Sequence, residues 1–134
     1  MRDISLIFLN NEGRALLYLR DDKPTILAPN HWALLGGSIE QEETPYQAIT
    51  RELQEEIDCP VYDIKFVEEL NIRNHPLYGD ENVHLFKGRV EEKLENIQLF
   101  EGQRLGYFTF DEFKFLKFPD FMHQYLITNR KNFF

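Results

Sequence analysis

Three glutamates lie close together near the middle of the chain: Glu52, Glu55 and Glu56. At about 100° per residue, an α-helix would carry their side chains on one side, within an arc of about 100°. Like charges at these spacings cost an isolated helix roughly 0.2–0.5 kcal/mol per pair, unless solvent or a bound cation reduces the repulsion. Mg²⁺ prefers oxygen ligands and retains water molecules that can act as nucleophiles. The triplet therefore indicates either the solvated face of a helix or a magnesium site.

The solvated-face interpretation does not explain the spacing of the surrounding residues. Gly37 is followed after five residues by Glu43, and Glu43 is followed after seven residues by Arg51. Together with the glutamates, six identities at fixed spacing arise by chance on the order of once per million starting points. The pattern resembles the signature sequence of the Nudix hydrolases, G-x5-E-x7-R-E-U-x-E-E-x-G-U, where U is a bulky apolar residue. Residues 37–59 cover it, and residues 32–36 are similar to the strand that precedes it in MutT-type members.

This resemblance implies a fold, an activity and a cofactor. The fold is of the α/β class, an α/β/α sandwich around a mixed β-sheet. The activity is the metal-dependent hydrolysis of a diphosphate linkage in a nucleoside diphosphate derivative, with Mg²⁺ as the cofactor and Mn²⁺ as the alternative. The implied metal ligands are the carbonyl group of Gly36 and the carboxylates of Glu52, Glu55, Glu56 and Glu101. Glu56 would be the central ligand.

The resemblance also assigns roles around the metal. Arg51 and Glu43 would pair and hold the preceding loop against the helix, which gives the ligands a rigid support. The substrate-binding residues would be Gly36, Gly37 and Ser38. Metal-activated water would attack one phosphorus of the diphosphate, and the metal would neutralise the charge that develops on the oxygens.

Glu101 lies in residues 99–103, which resemble the E-G-Q segment that supplies a further carboxylate in MutT-type enzymes. It is therefore a candidate general base or additional metal ligand, and Glu55 is the other candidate base. An acidic residue beside glycine is about as often a simple turn residue, so both interpretations of Glu101 remain open.

The chain departs from the Nudix pattern at positions that are not ligands. Asp58 and Cys59 stand where a glycine and a bulky apolar residue are expected. Asp can adopt the left-handed conformation that often ends a helix, so we expect the geometry of this end to be preserved at some cost. Glu42 replaces a common glycine, and Ser38 stands where MutT-type enzymes can carry lysine. We expect these changes to affect the choice of substrate or the rate of hydrolysis.

Several functions agree with the pattern. Nucleoside triphosphates are the first choice of substrate, by resemblance to MutT-type proteins, and nucleotide sugars are the second. A Nudix-like domain that binds a nucleotide without hydrolysing it is a further alternative. A purely structural ion-pair network around Arg51 leaves the Gly36–Gly37 turn and the spacing of Glu43 unexplained.

Composition and charge limit which binding partners the protein is expected to have. The chain has 134 residues and a formal net charge of −8, and it contains no basic stripe of the kind that duplex nucleic acid requires. Its one cysteine, Cys59, excludes an intrachain disulfide and fits a reducing compartment. It also lacks an apolar run near the ~20 residues that span a membrane. We expect one cytoplasmic domain over residues 1–134, with a small-molecule substrate and with homodimerisation possible as in other family members.

Hydrophobic periodicity and turn residues predict the elements that position these groups. The predicted strands are residues 4–9, 15–20, 31–35, 61–70, 82–90 and 104–110. Gly36 and Gly37 should end the third strand. The predicted helices are residues 44–58 and 119–129. In the first helix an apolar stripe of Ile49, Leu53 and Ile57 should pack on the sheet beside the glutamates.

Overall fold

The structure, a computed structural model, describes residues 2–134. The strands are β1 (Arg2–Asn11), β2 (Arg14–Leu19), β3 (Trp32–Ala33), β4 (Leu35–Ser38), β5 (Ile57–Asp58), β6 (Tyr62–His75), β7 (Gly79–Arg89), β8 (Gln98–Leu99) and β9 (Arg104–Phe108). The helices are α1 (Pro45–Glu56), α2 (Phe110–Phe113), α3 (Asp120–Thr128) and α4 (Arg130–Phe133).

Seven of the strands form one sheet. The order is β3-β2-β1-β7-β6, with β4 paired to β1 and β9 paired to β2. β1 and β7 run parallel, while the other pairs of this sheet are antiparallel. The sheet is therefore mixed, as predicted. β5 and β8 form a separate two-stranded sheet.

Alternating side chains of the central strands build a core on each face of the large sheet. The core under α1 contains Ile7, Leu9, Leu16, Tyr18, Ile49, Leu53 and Phe86. The core under α2, α3 and α4 contains Phe8, Ala15, Leu17, Leu85, Phe113, Met122, Leu126 and Phe133. Burying each large aliphatic side chain contributes about 1.5–3 kcal/mol. Helices cover both faces, which confirms the α/β/α sandwich.

The predicted strands over residues 4–9 and 15–20 and the predicted start of the first helix at residue 44 agree with β1, β2 and α1. Glu12 and Gly13 join β1 to β2 with positive φ values of 51° and 82°, the backbone of a tight hairpin turn. Thr44 caps α1 by accepting a hydrogen bond from the backbone N–H of Gln47, whose side chain accepts one from Thr44 N–H. Pro45 occupies the first helical position.

The prediction that Gly36 and Gly37 end a strand over residues 31–35 was wrong. Both glycines lie inside β4, opposite Leu6 and Ser5 of β1. A Cβ at Gly36 would lie 2.1 Å from the carbonyl oxygen of Ser5, and its φ is 138°. The glycine is needed because the two strands approach closely there, not because the chain turns away.

Other boundaries differ because pairing partners extend or end the elements. β6 continues to His75 and β7 begins at Gly79, so both strands extend beyond the predicted residues 61–70 and 82–90. They pair as a hairpin over most of residues 71–81, which lie between the two predicted strands. A strand was predicted over residues 104–110, but β9 ends at Phe108 because Thr109 caps the short helix α2. This helix was not predicted from the sequence. The small β5–β8 sheet and α4 also had no clear sequence signal. Among the described residues, no helix has the length and apolar character needed to cross a membrane.

Candidate functional site

Helix α1 positions the three glutamates through its apolar stripe. Ile49 and Leu53 pack in the core, and this packing sets the rotation of the helix about its axis. Glu56, about one turn after Leu53, is then directed inward and is fully buried, with an exposed fraction of 0%. The glutamates therefore do not form a uniformly solvated helix face.

Glu56 faces the glycines of β4. Its Oε1 atom accepts a hydrogen bond of 2.9 Å from the backbone N–H of Gly36. Its Oε2 atom is the one buried side-chain nitrogen or oxygen in residues 2–134 without a hydrogen-bond partner. Burial, followed by the charges of Glu101 and Glu52, raises the pKa of the Glu56 carboxyl group to about 9. Such an oxygen is costly to bury unless a cation or donor binds it.

Glu52 lies against the second glycine. A Cβ built at Gly37 would be 2.5 Å from Glu52 Oε1, so the carboxylate fills the space that any other residue would need. Burial raises the pKa of Glu52, and the hydrogen bond from Arg51 opposes that shift. The absence of a side chain at Gly37 thus lets this carboxylate lie on the backbone of β4.

Arg51 connects the loop after β4 to the helix. Its Nε and Nη2 atoms donate to the two carboxylate oxygens of Glu43, at 2.6 and 3.0 Å. Nη2 also donates to the carbonyl oxygen of Ser38 at 3.0 Å, and Nη1 donates to Glu52 and Glu55 at 3.1 and 3.2 Å. The hydrogen bond from Arg51 lowers the pKa of Glu43. The guanidinium of Arg51 therefore holds the carboxylates of Glu43, Glu52 and Glu55 in position through its hydrogen bonds.

Glu101 reaches the site through contacts that are remote in sequence. Ile57 of β5 pairs with Leu99 of β8, and the N–H of Phe100 donates to the carbonyl oxygen of Glu56 at 2.8 Å. Glu101 is exposed in the following loop, and its charge contributes to the raised pKa of Glu52 and Glu56. The structure thus brings Glu52, Glu56 and Glu101 to one region, while Glu55 points to Arg51 and is more exposed.

The oxygen donors are chemically suited to a hard divalent cation. In the part of the chain described, no three His, Cys, Asp or Glu side chains converge closely enough to enclose a metal ion, and Arg51 holds Glu52 and Glu55. The unpartnered Glu56 Oε2, surrounded by negative charge, fits a cation ligand. Glu52 would join it by leaving Arg51, which keeps its two bonds to Glu43.

Of the residues that depart from the expected pattern, Glu42 adopts the left-handed backbone that a glycine takes up more readily, with φ of 68°, whereas Asp58 and Ser38 do not. Asp58 is extended in β5 and does not adopt the left-handed conformation that we expected of it. Helix α1 ends instead by passing directly into a strand, with Ile57 at φ −137° and ψ 157°. Ser38 is exposed, and its hydroxyl accepts a hydrogen bond of 3.1 Å from Arg2 Nε.

A cavity of about 140 Å³, which we call the turn pocket, opens beside Gly36 and Gly37. Most of its walls are apolar or aromatic, from Ile4, Leu6, Leu27, Leu34, Tyr78, Phe118, Phe121 and Met122. Its charged groups are Arg2, Arg20 and Glu81. An apolar pocket with a few polar groups is the usual form of a small-molecule site. The sequence gives no signal for these charged residues, because they come together from separate parts of the chain.

Comparison with known proteins agrees with this geometry. The family model described as NUDIX domain matches residues 1–128. The MutT protein of Methanosarcina mazei Go1 has a similar structure, with a TM-score of 0.77 and 18% identity, over 98% of this chain and 94% of that chain. A NUDIX hydrolase from Nitrosomonas europaea has a TM-score of 0.78 and 16% identity, over 98% of this chain and 88% of that chain. The MutT NUDIX hydrolase of Burkholderia pseudomallei has a TM-score of 0.68 and 19% identity, over 83% of this chain and 84% of that chain. No curated protein matches the chain in sequence.

Proposed function

Because this chain belongs to the NUDIX family and is a pyrophosphohydrolase of nucleoside diphosphate derivatives, we propose that its substrates are nucleoside triphosphates and its cofactor is Mg²⁺. The observation that carries the proposal is Glu56. A fully buried carboxylate with one oxygen lacking a partner lies beside two further acidic groups and two glycines. A divalent cation with a phosphate chain would satisfy that oxygen and reduce the repulsion.

In this proposal, different residues bind the cation and hold the site in place. Glu56, Glu52 and the carbonyl group of Gly36 would hold the cation, with Glu55 and Glu101 completing or adjusting the shell. When bound, Mg²⁺ supplies charge neutralisation and lowers the pKa of water. Arg51 keeps its bonds to Glu43 and so fixes the loop and helix while the carboxylates rearrange.

Proton transfer needs a carboxylate that is accessible to water. Glu101 and Glu55 are both exposed, whereas Glu56 is fully buried. We therefore assign the general base to Glu101 or Glu55. Cleavage of the diphosphate would release a nucleoside monophosphate and pyrophosphate.

The turn pocket supports a nucleotide as the group beyond the diphosphate. It adjoins Gly36 and Gly37, and its aromatic side chains include Tyr78 and Phe121. Nucleobases stack on aromatic side chains, and a pocket beside the two glycines of β4, where the diphosphate would bind, would place a base at one end of the same ligand. A nucleotide sugar could use the same pocket, so such substrates belong in the screen.

Substrate turnover with and without Mg²⁺ tests the proposal. Purified protein is assayed for phosphate and pyrophosphate release from nucleoside triphosphates and nucleotide sugars. We expect triphosphates to be hydrolysed only with the cation, and Glu56→Gln to lower turnover by about 10²-fold or more, as expected when a group central to transition-state charge stabilisation is lost. Glu69→Gln, an exposed change on β6, is the matched control.

Two results would contradict the proposal. Equal turnover by Glu56→Gln and wild type would exclude the metal role of Glu56. Tight nucleotide binding without product under every metal condition would favour a nucleotide-binding domain that does not hydrolyse its ligand.

A further inference from the structure

Glu81 is a buried acid that the hydrolytic scheme does not use. Its exposed fraction is 2%, and it lines the turn pocket from β7. Its Oε2 atom accepts a hydrogen bond of 3.0 Å from Arg2 Nη1. A buried carboxylate has capacity for about four hydrogen bonds, so Glu81 retains most of its acceptor capacity.

Arg2 presents a donor next to this acceptor. Its Nε atom donates to the hydroxyl of Ser38, and Nη1 donates to Glu81, while Nη2 has no partner among the described residues. The other arginine of the pocket differs, because Arg20 uses all three nitrogens on the carbonyl oxygen of Leu27 and the hydroxyl of Tyr18. Arg2 is therefore the arginine of the pocket that keeps a whole NH₂ group, Nη2, for a ligand.

The sheet holds the two groups side by side. Arg2 of β1 and Glu81 of β7 are direct partners in the parallel pairing of these strands. Adjacent positions on rigid strands fix the separation of a carboxylate and a guanidinium better than loop positions would. One edge of the pocket therefore presents the two carboxylate oxygens of Glu81 as acceptors, followed by Arg2 Nη2 as a donor.

That edge is complementary to one common nucleobase. Guanine offers two adjacent donors, its amino group and N1–H, followed by the acceptor O6. Adenine offers one donor and one acceptor, cytosine offers one donor followed by two acceptors, and uracil has a single donor between two acceptors. A carboxylate facing any of these three would meet at least one acceptor, which leaves a buried polar group unpaired.

We propose that Glu81 and Arg2 make the turn pocket selective for guanine nucleotides. Glu81 would accept hydrogen bonds from the amino group and N1–H of guanine, and Arg2 Nη2 would donate to O6. The inference rests on the proposed function for the identity of the phosphate-bearing ligand, but the recognition itself needs neither a metal nor turnover.

Binding of nucleoside monophosphates without divalent cations tests this directly. Dissociation constants for GMP, IMP and AMP are measured by NMR titration, which reaches the millimolar range. Wild type should bind GMP about ten-fold or more tightly than AMP, because a site built for hydrogen bonds rejects a base that lacks them. IMP, which lacks only the amino group, should fall between them.

Variants then locate the effect. Glu81→Gln replaces an acceptor by a donor of the same shape, so it should bring GMP and AMP to within about three-fold of each other. Glu69→Gln, which removes an exposed carboxylate from β6, should retain the wild-type preference. If Glu81→Gln does not fold, the comparison of GMP with IMP on wild type still decides the question.

The two proposals fail in different ways. AMP or IMP binding as tightly as GMP would overturn the guanine assignment, whether or not triphosphates are hydrolysed. So would a Glu81→Gln variant that folds and keeps the full preference for GMP. A clear preference for GMP in a protein that hydrolyses no nucleotide would overturn the proposed function and leave the guanine assignment supported.

Discussion

Two neighbouring glycines of β4 should respond to alanine in opposite ways. At Gly37 the three atoms nearest the new Cβ all belong to the carboxylate of Glu52, with Oε1 at 2.5 Å. At Gly36 it would meet the backbone carbonyl oxygen of Ser5 at 2.1 Å, in a residue with φ of 138°. A side-chain tip can rotate away, whereas a strand backbone in a sheet cannot.

The magnitudes follow from these contacts. Moving the Glu52 carboxylate by about 1 Å leaves the free energy of unfolding of Gly37→Ala within about 1 kcal/mol of wild type, because a weakened hydrogen bond is partly offset by lower entropy of the unfolded chain. A displacement of about 1 Å in a catalytic group costs about 10²-fold in activity. Gly36→Ala should lose about 4 kcal/mol or more, from the clash and the strained φ together. That is a large part of the roughly 5–15 kcal/mol typical of a domain.

Urea unfolding and turnover of the preferred triphosphate separate the two effects. Gly13→Ala is the control for φ alone, since Gly13 has a φ of 82° and no atom within 4 Å of the position that a Cβ would take. It should lose about 1 kcal/mol and keep its activity. The reasoning is refuted if Gly37→Ala keeps full activity, or if it loses as much stability as Gly36→Ala.

Two further predictions concern groups outside the site. Burial raises the pKa of Cys59 to about 11, so roughly 0.1% of the thiol is ionised at pH 8 and its rate of reaction with a disulfide reagent should still rise above pH 10. A rate that levels off near pH 9 would show an ordinary thiol. Phe113→Ala should lower the free energy of unfolding by about 3–5 kcal/mol because Phe113 is fully buried. Phe115→Ala, at a residue 86% exposed, should change it by less than about 0.5 kcal/mol in the same urea experiment.

The amino-acid sequence alone determined the features that depend on neighbouring residues. The capping of α1 by Thr44 involves residues three positions apart, and the first hairpin depends on the backbone of Glu12 and Gly13. The spacing of Glu52 and Glu56 on one helix was predictable for the same reason. In each case the deciding interactions lie within one or two turns of chain, so the residue types are sufficient.

Only the tertiary structure decided which of these carboxylates are buried and what they contact. Gly36 is a contact point with β1 and not a strand end, because the strand against it comes from the start of the chain. Glu101 approaches Glu56 through the β5–β8 pairing, and Glu81 meets Arg2 across a parallel pair separated by most of the chain. Burial and charge at these groups are set by residues far apart in sequence, and local propensity carries no information about such contacts.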